Sequence, residues 1–365
     1  MTENRFSLKP AANKVEPLEA KFFKDLDAKR VKITYGPYNV PGIDDPTTHG
    51  MTTFVNMNAL MPCQDCLLTG TVPDLIFEDG STANADKGMW LHHIGLGNWN
   101  RADVVCTSWP ERFLSNGNER SNVDLTLGGT RKVGYYFGPN DRIMLATELM
   151  NESELSRTVY LTIEWEYLAG IPDGFDLDVP IWLDVKGDCP SQAGPLVPKA
   201  DVFNATRESP WSPNFTGDLY LMTSHVHDGN IHQEVFLDGK MVCDSVANYG
   251  ESAGYISHEG EPGSEHDHGS DDHIAHISST TSCQNLGKIG PDSKLTLTSF
   301  YDMTKHPAMM GHDGDLEPIM AIEWMHMALS PEDEAMKQVL ASKGPDRRMI
   351  MRRFAERSRK GLRFL

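Results

Sequence analysis

Nowhere in its 365 residues does this chain carry an apolar run of the roughly 20 residues that a membrane-spanning helix needs. The opening MTENRFSLKP has no apolar h-region and is not a signal peptide. Either the protein is intracellular or a leader has been removed ahead of Met1. Basic residues are scarce, 33 Lys and Arg against 52 Asp and Glu, which leaves a net charge of −19 and a pI near 5.1. A polyanion would be repelled, so a nucleic-acid partner is excluded. There is no P-loop, no dinucleotide fingerprint, no Gly-x-Ser-x-Gly and no internal repeat. Carboxylates are abundant, but no spacing singles out an acid–base pair of the kind a glycosidase uses. Cys63-x-x-Cys66 has no second pair at zinc-finger spacing and reads as disulfide chemistry.

Strands with turn residues between them fill residues 30 to 328. In RTVYLTIEWEYL (157–168), Val159, Leu161, Ile163, Trp165 and Tyr167 alternate with polar or exposed positions, the period of a half-buried strand. Asp79-Gly80 and Asp238-Gly239 are hairpin signals. No alternation of strand and helix appears, so a doubly wound parallel sheet is not expected. The predicted class is all-β, with two antiparallel, jelly-roll-like β-sandwich domains and a C-terminal helical tail. The Pro- and Gly-rich section 171–199 places the division at 30–185 and 186–328, and residues 329–365 form the tail. That tail begins with Ser330 as the expected helix cap, followed by Pro331, and ends strongly basic. It is expected to pack on the acidic body.

Six cysteines suit an oxidising compartment, and if all six pair, at least one bridge crosses between the halves. Sequons at Asn151, Asn204 and Asn214 lean the same way. A secreted, disulfide-bonded glycoprotein is the expectation.

The histidines are unevenly placed. Of fourteen, only His49, His92 and His93 precede residue 225, and none lies between 94 and 224. His225 and His227 in SHVHDGNIH sit two apart on a predicted strand, so both rings project from one face and can chelate one ion. His232 has the opposite parity and falls outside that pair. Adjacent His92 and His93 in GMWLHHIGLGN point to opposite faces of a regular strand. They share a metal only at a strand end or a bulge. Neutral imidazole suits zinc, copper and iron alike, and each of these histidines also has a reading as an ordinary buried or hydrogen-bonded residue. The His- and Asp-rich loop 258–276 suits weak metal binding.

This order of motifs resembles the ascorbate-dependent type II copper monooxygenases, the peptidylglycine α-hydroxylating and dopamine β-monooxygenase kind. The matching features are an early His-His, a later His-x-His followed by Asp-Gly, and a methionine in LTLTSFYDMTKHPAMMGHDGDLEPIMAIEWMHM (295–327). The GMWLHH element is also similar to uncharacterised secreted fungal proteins. The resemblance implies two copper sites facing each other across a solvent cleft, one per domain, with ascorbate or another donor as reductant. It assigns His92 and His93 to the first site, and His225, His227 and Met320 to the second, oxygen-binding and catalytic one. The family's third histidine of the first site has no counterpart here; Glu148 stands at the matching position, and His49 is the alternative ligand.

The function expected is a copper-dependent monooxygenase that hydroxylates a C–H bond, with cleavage where that carbon bears an ether oxygen or amide nitrogen. Its partners would be molecular oxygen and a small-molecule or polymer-derived organic substrate. A copper-storage protein and a zinc-dependent hydrolase are the alternatives.

Overall fold

The computed structural model describes residues 6–7, 14–187, 189, 198, 200–258, 273–309, 316, 318–350 and 352. Nearly all regular structure is β, in two packed sandwiches. A five-stranded sheet runs in the order Phe6–Ser7, Met51–Ala59, Ile143–Asn151, Met89–Ala102, Pro110–Gly117. It covers one end of a ten-stranded sheet whose strands there include Lys29–Val40, Arg157–Ala169, Cys66–Phe77 and Val133–Phe137. The expected alternation holds on Arg157–Ala169 as far as Trp165: Val159, Leu161, Ile163 and Trp165 are fully buried in the first core, with Leu75, Leu91 and Leu145. The register then shifts between Glu166 and Tyr167, leaving Tyr167 half-buried and Leu168 fully buried.

The same ten-stranded sheet continues into the second sandwich. Asp176 and Leu177 pair in parallel with Val133 and Gly134, and Asp176–Asp184, Ala321–Leu329, Gly217–Val226 and Cys283–Ile289 follow in order. Asp176–Asp184 precedes the division expected at residue 185 yet pairs along its length with Ala321–Leu329. The opposing sheet contains Val202–Thr206, Leu295–Asp302, Asn230–Leu237, Lys240–Tyr249 and Ile277–Thr280. Asp238-Gly239 forms the turn between two of these strands, both residues at positive φ (53° and 79°), as its sequence demands. Val179, Ile181, Met325, Met327, Leu295 and Leu297 fill the core between the sheets.

Three bridges form: Cys63–Cys66, Cys106–Cys189 and Cys243–Cys283, and the second joins the halves as the cysteine arithmetic required. Asn151 is fully buried, its amide donating to the carbonyls of Val40, Pro41 and Leu155, so its sequon offers no glycan acceptor in the folded protein. Asn204 and Asn214 are exposed.

In the tail, the helix Glu334–Ala341 starts later than expected. Its cap is Asp333, whose carboxylate accepts from the Ala335 N–H at 2.8 Å, while Ser330 organises the preceding turn. Met336 and Val339 pack into the second core. The chain then crosses back, Ser342 Oγ accepting from Ala102 N and Gly344 N–H donating to the Asn100 carbonyl. A Cβ at residue 344 would lie 1.9 Å from the Trp99 carbonyl oxygen, so only glycine fits this close approach. Most of the basic end lies outside the described residues. No helix among the described residues is long and apolar enough to cross a membrane.

Candidate metal centre

The His-His pair lies on Met89–Ala102, which runs between Ile143–Asn151 and Pro110–Gly117 in the first half's five-stranded sheet. Its register against Ile143–Asn151 slips there: Glu148 faces His93, but Leu149 faces Leu91. His92 is therefore the extra residue of a β-bulge, the distortion that lets neighbouring side chains turn to one side. The two rings sit edge to face with centroids 4.1 Å apart, both buried.

Across from them, the end of Gly217–Val226 delivers His225 and His227. The backbone N–H of His227 donates to the Met320 carbonyl at 3.2 Å, extending the pairing with Ala321–Leu329 one step beyond the strand. The motifs of the two halves thus meet directly rather than across a solvent cleft. His93 Nε2 lies 2.9 Å from His227 Nε2, and nitrogens of His92, His93 and His227 all fall within 4.8 Å of one another.

The hydrogen bonds on the far side of each ring decide what these nitrogens present. Glu148 Oε2 takes His92 Nδ1 at 3.2 Å and His93 Nδ1 at 2.8 Å. His227 Nδ1 meets the Pro318 carbonyl at 3.0 Å, and His225 Nδ1 meets Glu119 Oε1 at 2.9 Å. A carbonyl or carboxylate accepts, so each Nδ1 carries the proton and each Nε2 keeps a lone pair. Two Nε2 lone pairs facing each other at 2.9 Å repel unless a cation stands between them. A first-row metal bound by imidazole at about 2.0 Å per nitrogen accommodates that separation. The His225 Nε2 is buried with no partner among the described residues, and its ring centroid is 5.0 Å from that of His93. Carboxylate or carbonyl behind, free nitrogen in front, is how proteins orient metal-binding histidines.

The electrostatics agree. Burial, reinforced by neighbouring histidines, holds His93 down at about 3 and His227 well below its ordinary range, so both are neutral. Burial works against ionisation of Glu148, yet its bonds to His92 and His93 prevail and hold its carboxyl well below the usual range. Thr53 Oγ1 donates to its other oxygen at 2.9 Å.

Of the residues singled out from sequence, His92, His93 and His227 come together and His225 adjoins them. Glu148 touches the rings from behind, through Nδ1. His49 lies in the exposed turn before Met51–Ala59 and is not among the clustered nitrogens. Met320 stands opposite His227 in the extended register, its side chain buried with Trp182, Ile322 and Trp324. His232 bonds Asp244 and stacks on Phe300, outside the cluster as parity required. Residues 259–272 and 310–315, which hold most of the His/Asp-rich loop and Met310, lie outside the described residues.

Sequence reasoning missed Glu119 and the Pro318 carbonyl, neither of which carries a local signal. It also missed a brace beside the cluster. Asp228, directly after His227, binds His276 Nδ1 at 2.6 Å and the Ile277 N–H at 3.0 Å. His276 Nε2 reaches Ser257 Oγ at 2.7 Å, and its ring packs edge-on against Trp90 of the first half at 4.3 Å. Gly117 leaves room for His225: a Cβ there would sit 2.4 Å from His225 Cε1.

Fold and cluster together define an all-β protein with a largely buried group of imidazoles, suited to a first-row metal, where two sandwiches join. No family model matches the chain. It is 36% identical over 293 residues to the probable copper-dependent oxygenase M1 of Phoma sp., covering 80% of this chain and 70% of that protein. It is 35% identical over 251 residues to the probable copper-dependent oxygenase clz3 of Cochliobolus lunatus, covering 68% of this chain and 75% of that one. The chain belongs to this family of copper-dependent oxygenases and is an enzyme. Among solved structures, a peptide-N(4)-(N-acetyl-β-D-glucosaminyl)asparagine amidase aligns at 10% identity with a TM-score of 0.39, covering 83% of this chain and 97% of that one. PNGF-II aligns at 8% identity and 0.41, covering 88% and 66%.

Proposed function

We propose that His92, His93 and His227 hold copper through Nε2, with His225 beside them, and that the protein hydroxylates a C–H bond of an organic substrate with molecular oxygen. The observation that carries this reading is the 2.9 Å approach of two Nε2 atoms whose lone pairs face each other, made in a family of copper-dependent oxygenases. The gathering of both motifs in one place favours a single copper centre over the two separated sites implied by the type II monooxygenases. The likeness to those enzymes remains the basis for an ascorbate-like one-electron donor. It is also the basis for cleavage where the hydroxylated carbon bears an ether oxygen or amide nitrogen. Copper, when bound, supplies the redox chemistry that reduces oxygen.

The chain's own residues do the rest. Glu148 and the Pro318 carbonyl keep the Nδ1 protons away from the centre, so no ligand has to lose a proton on loading. Glu148 adds one buried negative charge behind His92 and His93, which favours the more highly charged copper state. His92 and His93 are buried and His227 is half-buried, so solvent reaches the centre only from the His227 side. A Met320 thioether, which would favour Cu(I), rests on the likeness to the type II monooxygenases alone; its side chain packs with Trp182, Ile322 and Trp324. Three disulfides support action in an oxidising, extracellular setting.

Metal analysis and EPR on the purified protein test the reading. One copper per chain, lost with turnover in His227→Ala, is the expected result. Full turnover by His227→Ala would sink it. Two coppers per chain would restore the separated-site arrangement. Zinc in place of copper, with Met320→Leu unaffected, would favour hydrolysis.

A further inference from the structure

Beside the histidine cluster lies a set of buried aromatic residues that metal binding does not use. Trp182 and Trp324 face each other across paired strands, with ring centroids 5.0 Å apart, in one cluster with Met320 and Ile322. Ile322 pairs with His225 and Trp324 with Thr223, so Trp324 and His225 are diagonal neighbours on one face of the sheet. From Trp324 the series continues along the same face to His326 at 6.2 Å and from there to Tyr220 at 6.2 Å. Tyr220 donates its phenolic hydrogen to Asp178 Oδ1 at 3.0 Å, and Asp178 Oδ2 is held by His326 Nδ1 at 2.9 Å. The Arg131 guanidinium lies 4.8 Å from the centre of the Tyr220 ring, and its side chain is 23% exposed.

We propose that Trp182, Trp324 and Tyr220, with His326 packed between the last two, form a redox relay that carries one-electron oxidising equivalents away from the centre when it is activated without substrate. This rests on copper occupying the histidine cluster. The hydrogen bonds give the relay a direction. The indole N–H groups of Trp182 and Trp324 have no acceptor among the described residues, so an oxidised indole has nowhere to pass its proton and stays a transient carrier. Tyr220 differs, because a carboxylate already accepts from its hydroxyl. One electron leaves the phenol for Trp324 and then the centre, while the phenolic proton moves to Asp178 Oδ1. The result is a neutral tyrosyl radical, a protonated Asp178 and a centre reduced by one electron. A one-electron donor of the ascorbate class, acting at the Arg131 surface, returns the electron, and the proton goes back to the phenolate oxygen. Burial and the Asp178 carboxylate keep the Tyr220 hydroxyl protonated at rest, the state from which this coupled step starts.

The experiment uses the copper-loaded full chain, reduced and exposed to oxygen or hydrogen peroxide without substrate, then freeze-quenched for EPR. A tyrosyl radical is expected, with hyperfine structure changed by ring-deuterated tyrosine. Tyr220→Phe should lose it, and Trp324→Phe should lose or delay it. Both variants should keep copper content, inactivate in fewer turnovers at a temperature well below their thermal midpoints, and show more oxidised histidine in peptides containing residues 92, 93 and 227. A radical undiminished in Tyr220→Phe, or equal inactivation in all three proteins, would overturn the relay while leaving the copper reading intact. Failure of the wild-type chain to load copper would overturn both. If Tyr220→Phe does not fold, Asp178→Asn, which removes the proton acceptor, must lose the radical for the relay to stand.

Discussion

Replacing Glu148 with glutamine tests how this centre is built. Glu148 Oε2 accepts from both His92 and His93, while Oε1 accepts from Thr53. Glutamine has nearly the same shape. With its carbonyl oxygen toward the imidazoles, its amide can donate to the Thr53 hydroxyl, so every bond survives. What disappears is one negative charge behind two ligands, inside a site with almost no solvent to replace it. Changes to groups that orient metal-bound histidines typically cost about 10- to 100-fold in metal affinity. That corresponds to roughly 1.4–2.7 kcal/mol. The metal-free protein should be no less stable, because Glu148→Gln also removes the desolvation cost of a buried carboxylate. The assay is a competitive chelator titration of copper, paired with thermal unfolding with and without the metal. Expected is a weaker copper complex, a smaller metal-induced rise in midpoint and an unchanged metal-free midpoint. Unchanged copper affinity in a folded Glu148→Gln protein would refute the reasoning, since Glu148 would then not be acting on the ligands. Glu148→Leu should lose more, because it also frees both Nδ1 positions.

Acidification should destabilise the metal-free protein in a defined window. The folded-state pKa of His93 is lowered from 6.5 to about 3, and that of His227 well below its ordinary value, so below about pH 6.5 the unfolded chain binds protons that the folded chain refuses. Stability therefore falls as pH drops from about 6.5 toward 3, and the depressed Glu148 pKa adds loss in the same direction below about 4.5. A flat urea midpoint between pH 7 and 4 would contradict this. Gly117→Ala should drive a methyl group into His225 and weaken turnover more than global stability, as steady-state kinetics and thermal melts would show together. Cys106 and Cys189 are 83 residues apart, so Cys106→Ser with Cys189→Ser should cost about 4–5 kcal/mol by loop-closure entropy; denaturant titration measures it. Gly344→Ala should detach the tail from the 89–102 strand and expose that segment to protease.

The histidines that cluster were legible in the sequence because their chemistry is local. A His-x-His on a strand shares a face by the period of two, and an adjacent His-His demands a bulge; a bulge is what the register supplies at His92. Strand alternation at 157–168 likewise predicted a buried face, because solvent exclusion acts on every second side chain. The cap at Asp333 was misjudged because Ser330 and Asp333 are both competent caps, and only packing of Met336 and Val339 decides where the helix begins. The buried sequon at Asn151 shows the same limit: a tripeptide does not record its own burial.

The sequence by itself determined an all-β chain and a set of histidines able to bind metal. Tertiary structure decided that the two motifs, more than a hundred residues apart, share one site, because strand register and the joining of two sandwiches set distances that local periodicity does not encode. It also decided the state of each ring. Glu119, Glu148 and the Pro318 carbonyl reach the imidazoles from other strands and loops, and it is they that leave each Nε2 with its lone pair turned inward.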